Sequence, residues 1–444
     1  MTSDNPLAVL LPPASASQNR PASTKIIRAW IINLLLVVVV FISYWQVYLN
    51  TVIPGYSYGG FTLNLEPFNS WPLLLVVLSA FLLPIKPASI DSLFASISIY
   101  LMLLPSAVLC MTGGQSDTSF ILIALASVAP LLVVRLLSKS GATSSATAIR
   151  FKTWPLIACV VLTIIATACT AGYRFNLNFM SVYSFRSDFN DALGFPLNYV
   201  LPFVGGPLLS LLVSYGCSSK NRGIIAFSLV SSLLLFGFSS HKSYFFGLLL
   251  ALSLYWASSL KLNLSYVFGS LMICLSTLAL TAADYGGGLF GSLIANRLIF
   301  LPPAIAYEFL RQFSDTGPLY WAESKLSLGL IESPLPLNSV NYIAKIMTGL
   351  DGVGANSGWI SNGYMNLGIA GVVIYAVLIG LILVRFKHWQ FAFGAPLVVA
   401  TMAQPLYNLV ASMDLATWLL TGGILPLIVV FFLLERLSLR RQRI

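Results

Sequence analysis

Two ionisable side chains lie next to each other between long apolar stretches near the middle of the chain. His241 and Lys242 occur in the sequence Ser-Ser-His-Lys-Ser-Tyr-Phe-Phe, residues 239–246. A lysine at the edge of an apolar segment either extends its ammonium group into nearby water or provides a cation for an anionic ligand. The two residues alone leave both interpretations open, so the next question is which other charged groups the chain can bring to them.

Aromatic and charged residues alternate in a second stretch, residues 172–196. It contains Arg174 and Arg186 together with Asp188 and Asp191. Guanidinium groups bind phosphate oxygens through paired hydrogen bonds, and the large apolar faces of aromatic rings suit the apolar faces of sugars. An interfacial belt of aromatic residues, with arginines that reach into water, is the alternative interpretation.

A third stretch, residues 284–358, is far longer than a simple connection between two helices. At about 100° per residue, Arg297 and Glu308 share one face of a helix. The expected element is an amphipathic helix that lies on the outer surface of the membrane, although Pro302 and Pro303 interrupt its periodicity. This stretch therefore offers both cations and carboxylates above the membrane.

These groups must be positioned by membrane-spanning elements, because the composition is that of an integral membrane protein. Of the 444 residues, 57% are hydrophobic and only 9% are charged, against about a quarter charged in a soluble domain. The apolar residues occur in blocks of about 20, the length that crosses a bilayer as a helix. The predicted fold class is therefore all-α: a polytopic membrane protein with a long helical outer loop.

Twelve transmembrane helices are predicted by the length and polarity of these blocks. They cover residues 29–49, 71–85, 90–111, 119–134, 154–171, 197–217, 223–240, 244–260, 263–283, 359–384, 389–411 and 416–434. Residues 172–196 and 284–358 then form the two large outer loops. Residues 1–24 are predicted to be a disordered cytoplasmic tail, and residues 25–444 a single transmembrane domain.

The distribution of charge predicts the orientation of these helices. With the N-terminus inside, 17 of the 24 lysines and arginines fall on the cytoplasmic side, and 11 of the 14 acidic residues fall outside. Short basic loops are retained in the cytoplasm during insertion. Both termini are therefore expected in the cytoplasm, and the net charge of +10 reflects topology and not a nucleic-acid partner.

The cysteines give no indication of a metal site. Cys110, Cys159, Cys169, Cys217 and Cys274 occur within or at the edges of predicted spans, without the spacing of metal ligands. They are interpreted as small apolar residues. Neither a metal nor another cofactor is expected.

The layout resembles the Wzy-type O-antigen polymerases. Three features give the resemblance: a short polar turn with a basic residue between two consecutive spans, a long outer loop late in the chain with an arginine near its start, and the stretch Asn-Gly-Tyr-Met-Asn-Leu-Gly, residues 362–368. The family joins lipid-linked oligosaccharide repeat units into O-antigen, the polysaccharide of lipopolysaccharide, at the periplasmic side of the bacterial inner membrane. Most of the chain is covered in layout.

The resemblance implies a metal-independent glycosyltransferase. In this family the growing chain is held on a polyprenyl diphosphate, and a sugar hydroxyl of the incoming lipid-linked unit attacks its anomeric carbon. Such a reaction needs cations for the leaving diphosphate and a base for the hydroxyl proton. The positions that match the family's important cations are Arg174, Arg297 and Lys242, with His241 as a hydrogen-bond donor or bystander. A chain-length regulator is a candidate partner.

Three carboxylates are candidates for the base: Glu308, Asp351 and Asp284. Helical spacing favours Glu308 slightly, although an ion pair with Arg311, three residues on, explains this glutamate equally well. Asn362 and Asn366, which lie four residues apart at the start of a span, are candidates for contacts with sugar hydroxyls. Helix capping and hydrogen bonds between helices are the alternative role of these amides.

Two other functions fit the same layout. The related O-antigen ligases share it, but they typically have a histidine in the long outer loop, and residues 284–358 contain none. A transporter or flippase for lipid-linked glycans would not be an enzyme and is expected to show internal repeats and charges in the middle of spans. The sequence shows neither clearly, which favours the polymerase.

Reporter fusions test the predicted orientation. Fusions at both termini and within residues 139–152 are expected to be cytoplasmic, and fusions within residues 172–196 and 284–358 to be periplasmic, because the cations are distributed so unequally. Alkaline phosphatase and green fluorescent protein activities measure this. A phosphatase fusion near residue 145 that is active would contradict the arrangement.

Overall fold

The computed structural model describes residues 22–64, 69–85, 88–138, 152–178, 182–283, 288–324, 327 and 329–442. Within this part of the chain every regular element is a helix, and pairing between extended segments is limited to one isolated bridge from Asn64 to Gly113. The predicted all-helical class is confirmed. Most of the predicted tail, most of the loop 139–152 and the candidate base Asp284 lie outside the described residues.

Nine described helices are long and apolar enough to cross a membrane. They are α1 (Ile26–Tyr56), α3 (Ile90–Thr112), α4 (Asp117–Leu137), α7 (Leu197–Ser218), α8 (Arg222–Ser239), α10 (Leu264–Ala282), α11 (Gly291–Thr316), α13 (Trp359–Phe393) and α15 (Leu415–Leu437). The protein is therefore a multi-pass helical membrane protein. The count of twelve crossings remains a prediction.

Six further helices complete the described fold. They are α2 (Pro72–Leu82), α5 (Trp154–Thr170), α6 (Val182–Ala192), α9 (Lys242–Ser259), α12 (Ser339–Thr348) and α14 (Ala395–Ala411). Four of these, α2, α5, α9 and α14, coincide with predicted spans. The other two, α6 and α12, lie in the two predicted outer loops, and the sequence analysis expected helical structure only in the longer loop, 284–358.

Widened π-helical turns allow prolines inside several long helices. These turns cover Tyr48–Val52, Ile99–Leu103, Val204–Leu208 and Gly291–Phe300, and each contains a proline or has one within two residues of its end. Proline lacks an N–H donor and clashes with the carbonyl four residues earlier. A π-turn relieves this clash without ending the helix. Sequence periodicity suggested that Pro302 and Pro303 interrupt this helix. The structure shows instead that α11 continues through both prolines.

Helix α11 differs from the predicted surface helix, because it is packed inside the protein. Tyr307 is almost fully buried and donates a hydrogen bond of 2.9 Å from its hydroxyl to the Ser106 carbonyl near the end of α3. Just before α11 begins, the Gly288 carbonyl accepts a hydrogen bond of 3.2 Å from the hydroxyl of Tyr56, at the end of α1. Beyond its last turn, Leu319 N–H donates to the Met365 carbonyl at 2.8 Å. Both ends of α11 therefore contact the same end of the helix bundle.

A sharp break divides α13 into a short and a long arm. Leu367 and Gly368 have non-helical dihedrals, and the φ of Gly368 is +61°, which favours glycine. The short arm, residues 359–366, contains the two asparagines that the sequence analysis singled out. Gly363 and Gly371 touch across the break, where a side chain on either would collide with the backbone of the other.

The opposite end of α13 is held by ion pairs. Arg385 and His388 contact the Glu435 carboxylate at 2.6 and 3.0 Å, and Lys387 contacts Asp91 at 2.9 Å. The Asp91 and Lys387 side chains are largely buried. These pairs fasten α13 to α15 and α3 at the end of the bundle where the sequence analysis predicts the cytoplasm.

Small residues let neighbouring helices approach closely, as is common in membrane proteins. In α13, a Cβ atom added to Gly380 would lie 2.5 Å from the Val133 Cβ of α4. In α7, a Cβ added to Gly205 would lie 2.5 Å from the Tyr244 ring of α9. These contacts leave no room for even one methyl group.

Gly380→Ala is expected to lower the free energy of unfolding by about 1–3 kcal/mol, because the methyl group overpacks the contact between α4 and α13. The measurement is the thermal or denaturant midpoint in detergent. Gly194→Ala is the matched control, since nothing lies within 4 Å of its added Cβ. The double variant Val133→Ala/Gly380→Ala should recover most of the loss. Equal stability of both single variants would contradict the packing.

Candidate functional site

A cavity of about 550 Å³ brings three cations together at one end of the bundle. We call it the cation cavity. Its lining includes Arg186, His241, Lys242 and Arg297, together with Gln404. The structure therefore brings together Lys242, His241 and Arg297, three of the residues predicted to bind or react with substrate.

Different elements supply these side chains. Arg186 comes from α6, and Arg297 comes from the π-helical first part of α11. His241 and Lys242 come from the tight turn between α8 and α9, where Ser240 ends α8 in the left-handed conformation with φ +55°. The wide turn Val204–Leu208 forms another part of the wall through Gly206 and Pro207. Two of the four proline-associated π-turns thus border the cavity.

The cation cavity is strongly positive. Lysine and arginine account for three of its described lining residues, and none of its described lining residues is aspartate or glutamate. Arg297 is close enough for its charge to act on Lys242, and Arg186 is close enough to act on His241. Like charges held together in a partly buried space attract an anion strongly, because the anion relieves their mutual repulsion.

His241 is neutral near pH 7. Burial and the adjacent charge of Arg186 lower the pKa of its imidazole to about 4. Its Nε2 lies 3.3 Å from Asn190 Oδ1, within hydrogen-bonding distance. The contact fixes the turn against α6. His241 is therefore suited to donate a hydrogen bond and is a weak base.

The structure brings Arg186 into the cavity and leaves Arg174 outside its lining. Arg174 instead lies 3.5 Å from Asp188, and both side chains are exposed. Arg186, Phe189 and Asn190 share one face of α6, and Phe189 is only 2% exposed. Residues spaced by three and four positions, as these are, share one face when the segment is helical, so the sequence contained the pattern that predicts this face. It was missed because no helix was expected in this loop.

Two of the three predicted bases, Glu308 and Asp351, lie outside the described lining of the cation cavity. Both oxygens of Glu308 are held by Arg311, at 2.6 and 3.0 Å, and Gln312 donates a further bond of 2.9 Å. The ion pair that sequence spacing allowed for Glu308 is thus present. Asp351 lies 2.9 Å from Lys345 and its side chain is 77% exposed. The structure does not bring either carboxylate together with Arg297 in this cavity.

Gln404 is a site residue that the sequence analysis did not identify. It is only 5% exposed, lines the cation cavity, and its Oε1 has no hydrogen-bond partner among the described residues. Gly247 lies directly against the carboxamide, where a Cβ atom would collide with it. A glutamine in the middle of an apolar helix was the available indication, since a buried amide is costly without a partner.

Two more cavities adjoin the cation cavity. The first, of about 360 Å³, shares Arg297 with it, and its lining includes the apolar side chains of Leu301, Ile305, Met347 and Val353; we call it the aliphatic cavity. The second, of about 450 Å³, contains the three asparagines 198, 362 and 366; we call it the amide cavity. Asn362 and Asn366 therefore lie away from the cations.

Comparisons with known proteins leave the family open. No protein-family model, curated protein or solved structure matches the chain significantly. Among the described residues, no three histidine, cysteine, aspartate or glutamate side chains lie close enough together to hold a metal ion. Fold and site together define a multi-pass helical membrane protein with a positive cavity at one end of its bundle.

Acidification is expected to destabilise the protein through His241. The folded-state pKa of about 4 lies below the ordinary value of 6.5, so below pH 6.5 the unfolded chain binds the proton more readily. The stability that depends on a neutral His241 is fully present above pH 6.5 and is lost as the pH falls towards 4. Between pH 7 and 5 the loss is about 1–2 kcal/mol.

Thermal melting in detergent at pH 7 and pH 5 measures this effect. His241→Gln keeps a group that can bond Asn190 but does not titrate, so its melting temperature should fall less on acidification than that of the parent protein. Identical pH dependence of the two proteins would show that His241 is not held neutral in the fold.

Proposed function

We propose that the protein is a glycosyltransferase that polymerises polyprenyl-diphosphate-linked repeat units into O-antigen or a similar surface polysaccharide. The observation that supports this most directly is the convergence of Arg186, Lys242 and Arg297 on one cavity with no carboxylate among its described lining residues. A diphosphate bound there would accept charge-assisted hydrogen bonds from these cations.

In the proposed reaction, a sugar hydroxyl of one lipid-linked unit attacks the anomeric carbon of the chain on the other lipid. A new carbon–oxygen bond forms, the bond from the anomeric carbon to the diphosphate breaks, and the diphosphate leaves with the electron pair. Arg297, Arg186 and Lys242 stabilise the charge that develops on it. The hydroxyl proton passes to the departing diphosphate, since the described lining offers no carboxylate and His241 is a weak base.

The position of the aliphatic cavity is a second observation in favour of a lipid-linked substrate. It meets the cation cavity at Arg297, Asn356 and Tyr407, which line both. A diphosphate bound by Arg297 can therefore direct the first isoprene units of its lipid between Leu301 and Val353. Burial of these apolar groups adds binding energy that an unattached diphosphate lacks.

The proposed topology places the cation cavity on the periplasmic side of the bacterial inner membrane. Twelve helices cross, and α11 lies across the outer end of the bundle, because both of its ends contact that end. The shorter helices α2, α5, α9 and α14 are then counted among the crossings. This arrangement leaves both termini in the cytoplasm, as the distribution of lysine and arginine requires.

Arg297→Ala is expected to reduce polymer formation at least about 100-fold, because a guanidinium aimed at the leaving group contributes to both binding and catalysis. Arg297→Lys should restore part of the activity, since the charge remains but the paired geometry is lost. The measurement is the glycan length made from purified lipid-linked repeat units in detergent, with chelator present to test metal independence.

Arg311→Ala is the matched control. Arg311 is an arginine of the same helix, but it is exposed and pairs with Glu308 instead of lining the cation cavity. This variant should make polymer at close to the parent rate. Full activity of Arg297→Ala, or equal losses in both variants, would contradict the proposed role of the cation cavity. Activity that chelation abolishes and a divalent ion restores would contradict the metal-independent mechanism.

A further inference from the structure

The amide cavity differs in chemistry from the cation cavity. Its lining contains the carboxylates Glu323 and Asp414, three asparagines, and the aromatic rings of Tyr199, Trp321 and Tyr375. None of its described lining residues is a lysine or an arginine. A diphosphate would meet two carboxylates here without a compensating cation, so an anionic ligand is disfavoured.

The polar groups of the amide cavity are fixed in place by one another. The Trp321 indole donates a hydrogen bond of 2.8 Å to the Tyr375 hydroxyl, which in turn donates to Asn362 Oδ1 at 3.2 Å. The Asn366 side-chain amide donates to the same Asn362 oxygen at 3.1 Å, and its Oδ1 accepts a hydrogen bond of 2.9 Å from the backbone N–H of Trp321. Such a network holds rings and amides rigidly before a ligand arrives.

One further residue of the cavity has an unsatisfied polar atom. Asn198 Oδ1 is buried and has no hydrogen-bond partner among the described residues, and Asn198 lines the cavity next to the ring of Tyr199. A buried carbonyl oxygen without a donor is costly. A hydroxyl group of a bound molecule is a donor of suitable size.

The cation cavity and the amide cavity share a wall. Ser412 and Met413 line the first, and Asp414, the next residue, lines the second. Along α7, Asn198 borders the amide cavity and Pro202 borders the cation cavity, a separation of one helical turn or about 6 Å. A molecule in one cavity therefore lies beside a molecule in the other.

We infer that the amide cavity is a binding site for uncharged sugar residues of the glycan, placed beside the site of the diphosphate. Amides both donate hydrogen bonds to hydroxyl groups and accept them, and carboxylates accept them. The fixed rings of Trp321 and Tyr375 offer apolar surface for sugar rings. The inference rests on the proposed function, because it assigns the glycan of that reaction to a particular cavity.

Equilibrium binding to the purified, detergent-solubilised protein tests the inference with two separate probes. Inorganic pyrophosphate probes the cation cavity, and an array of neutral di- to tetrasaccharides of common hexoses and N-acetylhexosamines probes the amide cavity. Asn198→Ala and Tyr375→Phe are expected to weaken oligosaccharide binding at least tenfold and to leave pyrophosphate binding unchanged. Arg297→Ala should do the reverse.

Asn50→Ala is the control, because Asn50 is an exposed asparagine of α1 whose side chain donates hydrogen bonds to Gln46 and lines none of the three cavities. Retained pyrophosphate affinity shows that each amide-cavity variant is folded. If no oligosaccharide binds, or if Asn198→Ala and Tyr375→Phe bind as the parent does, the glycan site is wrong. If oligosaccharides bind at the amide cavity but pyrophosphate does not bind, the glycan site stands and the proposed diphosphate reaction fails.

Kinetic measurements distinguish whether the amide cavity holds the glycan of the acceptor or that of the donor. In the polymerisation assay, Asn198→Ala is expected to raise the KM of the incoming unit if the cavity holds the acceptor glycan. It raises the KM of the growing chain if the cavity holds the donor glycan. An unchanged KM for both substrates would overturn the assignment.

Discussion

Backbone hydrogen bonding in an apolar surrounding is the constraint on which this structure depends. Each helix must satisfy its own N–H and C=O groups, and proline removes one donor from the series. The chain meets this constraint with π-helical turns at Val204–Leu208 and Gly291–Phe300. Both turns border the cation cavity, where the second presents Arg297. The cavity is thus built where the regular helix is interrupted.

Charge is then distributed between neighbouring cavities. Segment 412–422 has cation-cavity residues at its start and end and amide-cavity residues between them. Arg186, Lys242 and Arg297 lie in the first, and Glu323 and Asp414 lie in the second. The two carboxylates of the amide cavity are therefore absent from the described lining of the cation cavity, where the three cations favour an anion.

Hydropathy located the helices, because apolar blocks of membrane length have few other structures open to them. It also singled out Lys242 as a cation at the edge of such a block, whereas Arg297 was singled out by its position near the start of the long outer loop. Their meeting with Arg186 depends on packing between helices that are distant in sequence, which no local periodicity encodes. The path of α11 was missed for a related reason, since a π-turn shifts the phase on which amphipathic patterns are judged.

The break at Leu367–Gly368 separates two arms of α13 that are held in place by different contacts. The long arm is clamped at its far end through Glu435 and Asp91, so it has little freedom to swing. The short arm contains Asn362, which reaches back to Tyr375 on the long arm. The short arm is also tied to residues 319–321, whose backbone N–H groups donate to Met365 and Asn366. Any widening of the amide cavity between Asn362 and Tyr375 would therefore move the short arm together with the segment that contains Trp321, one of the aromatic residues of the cavity.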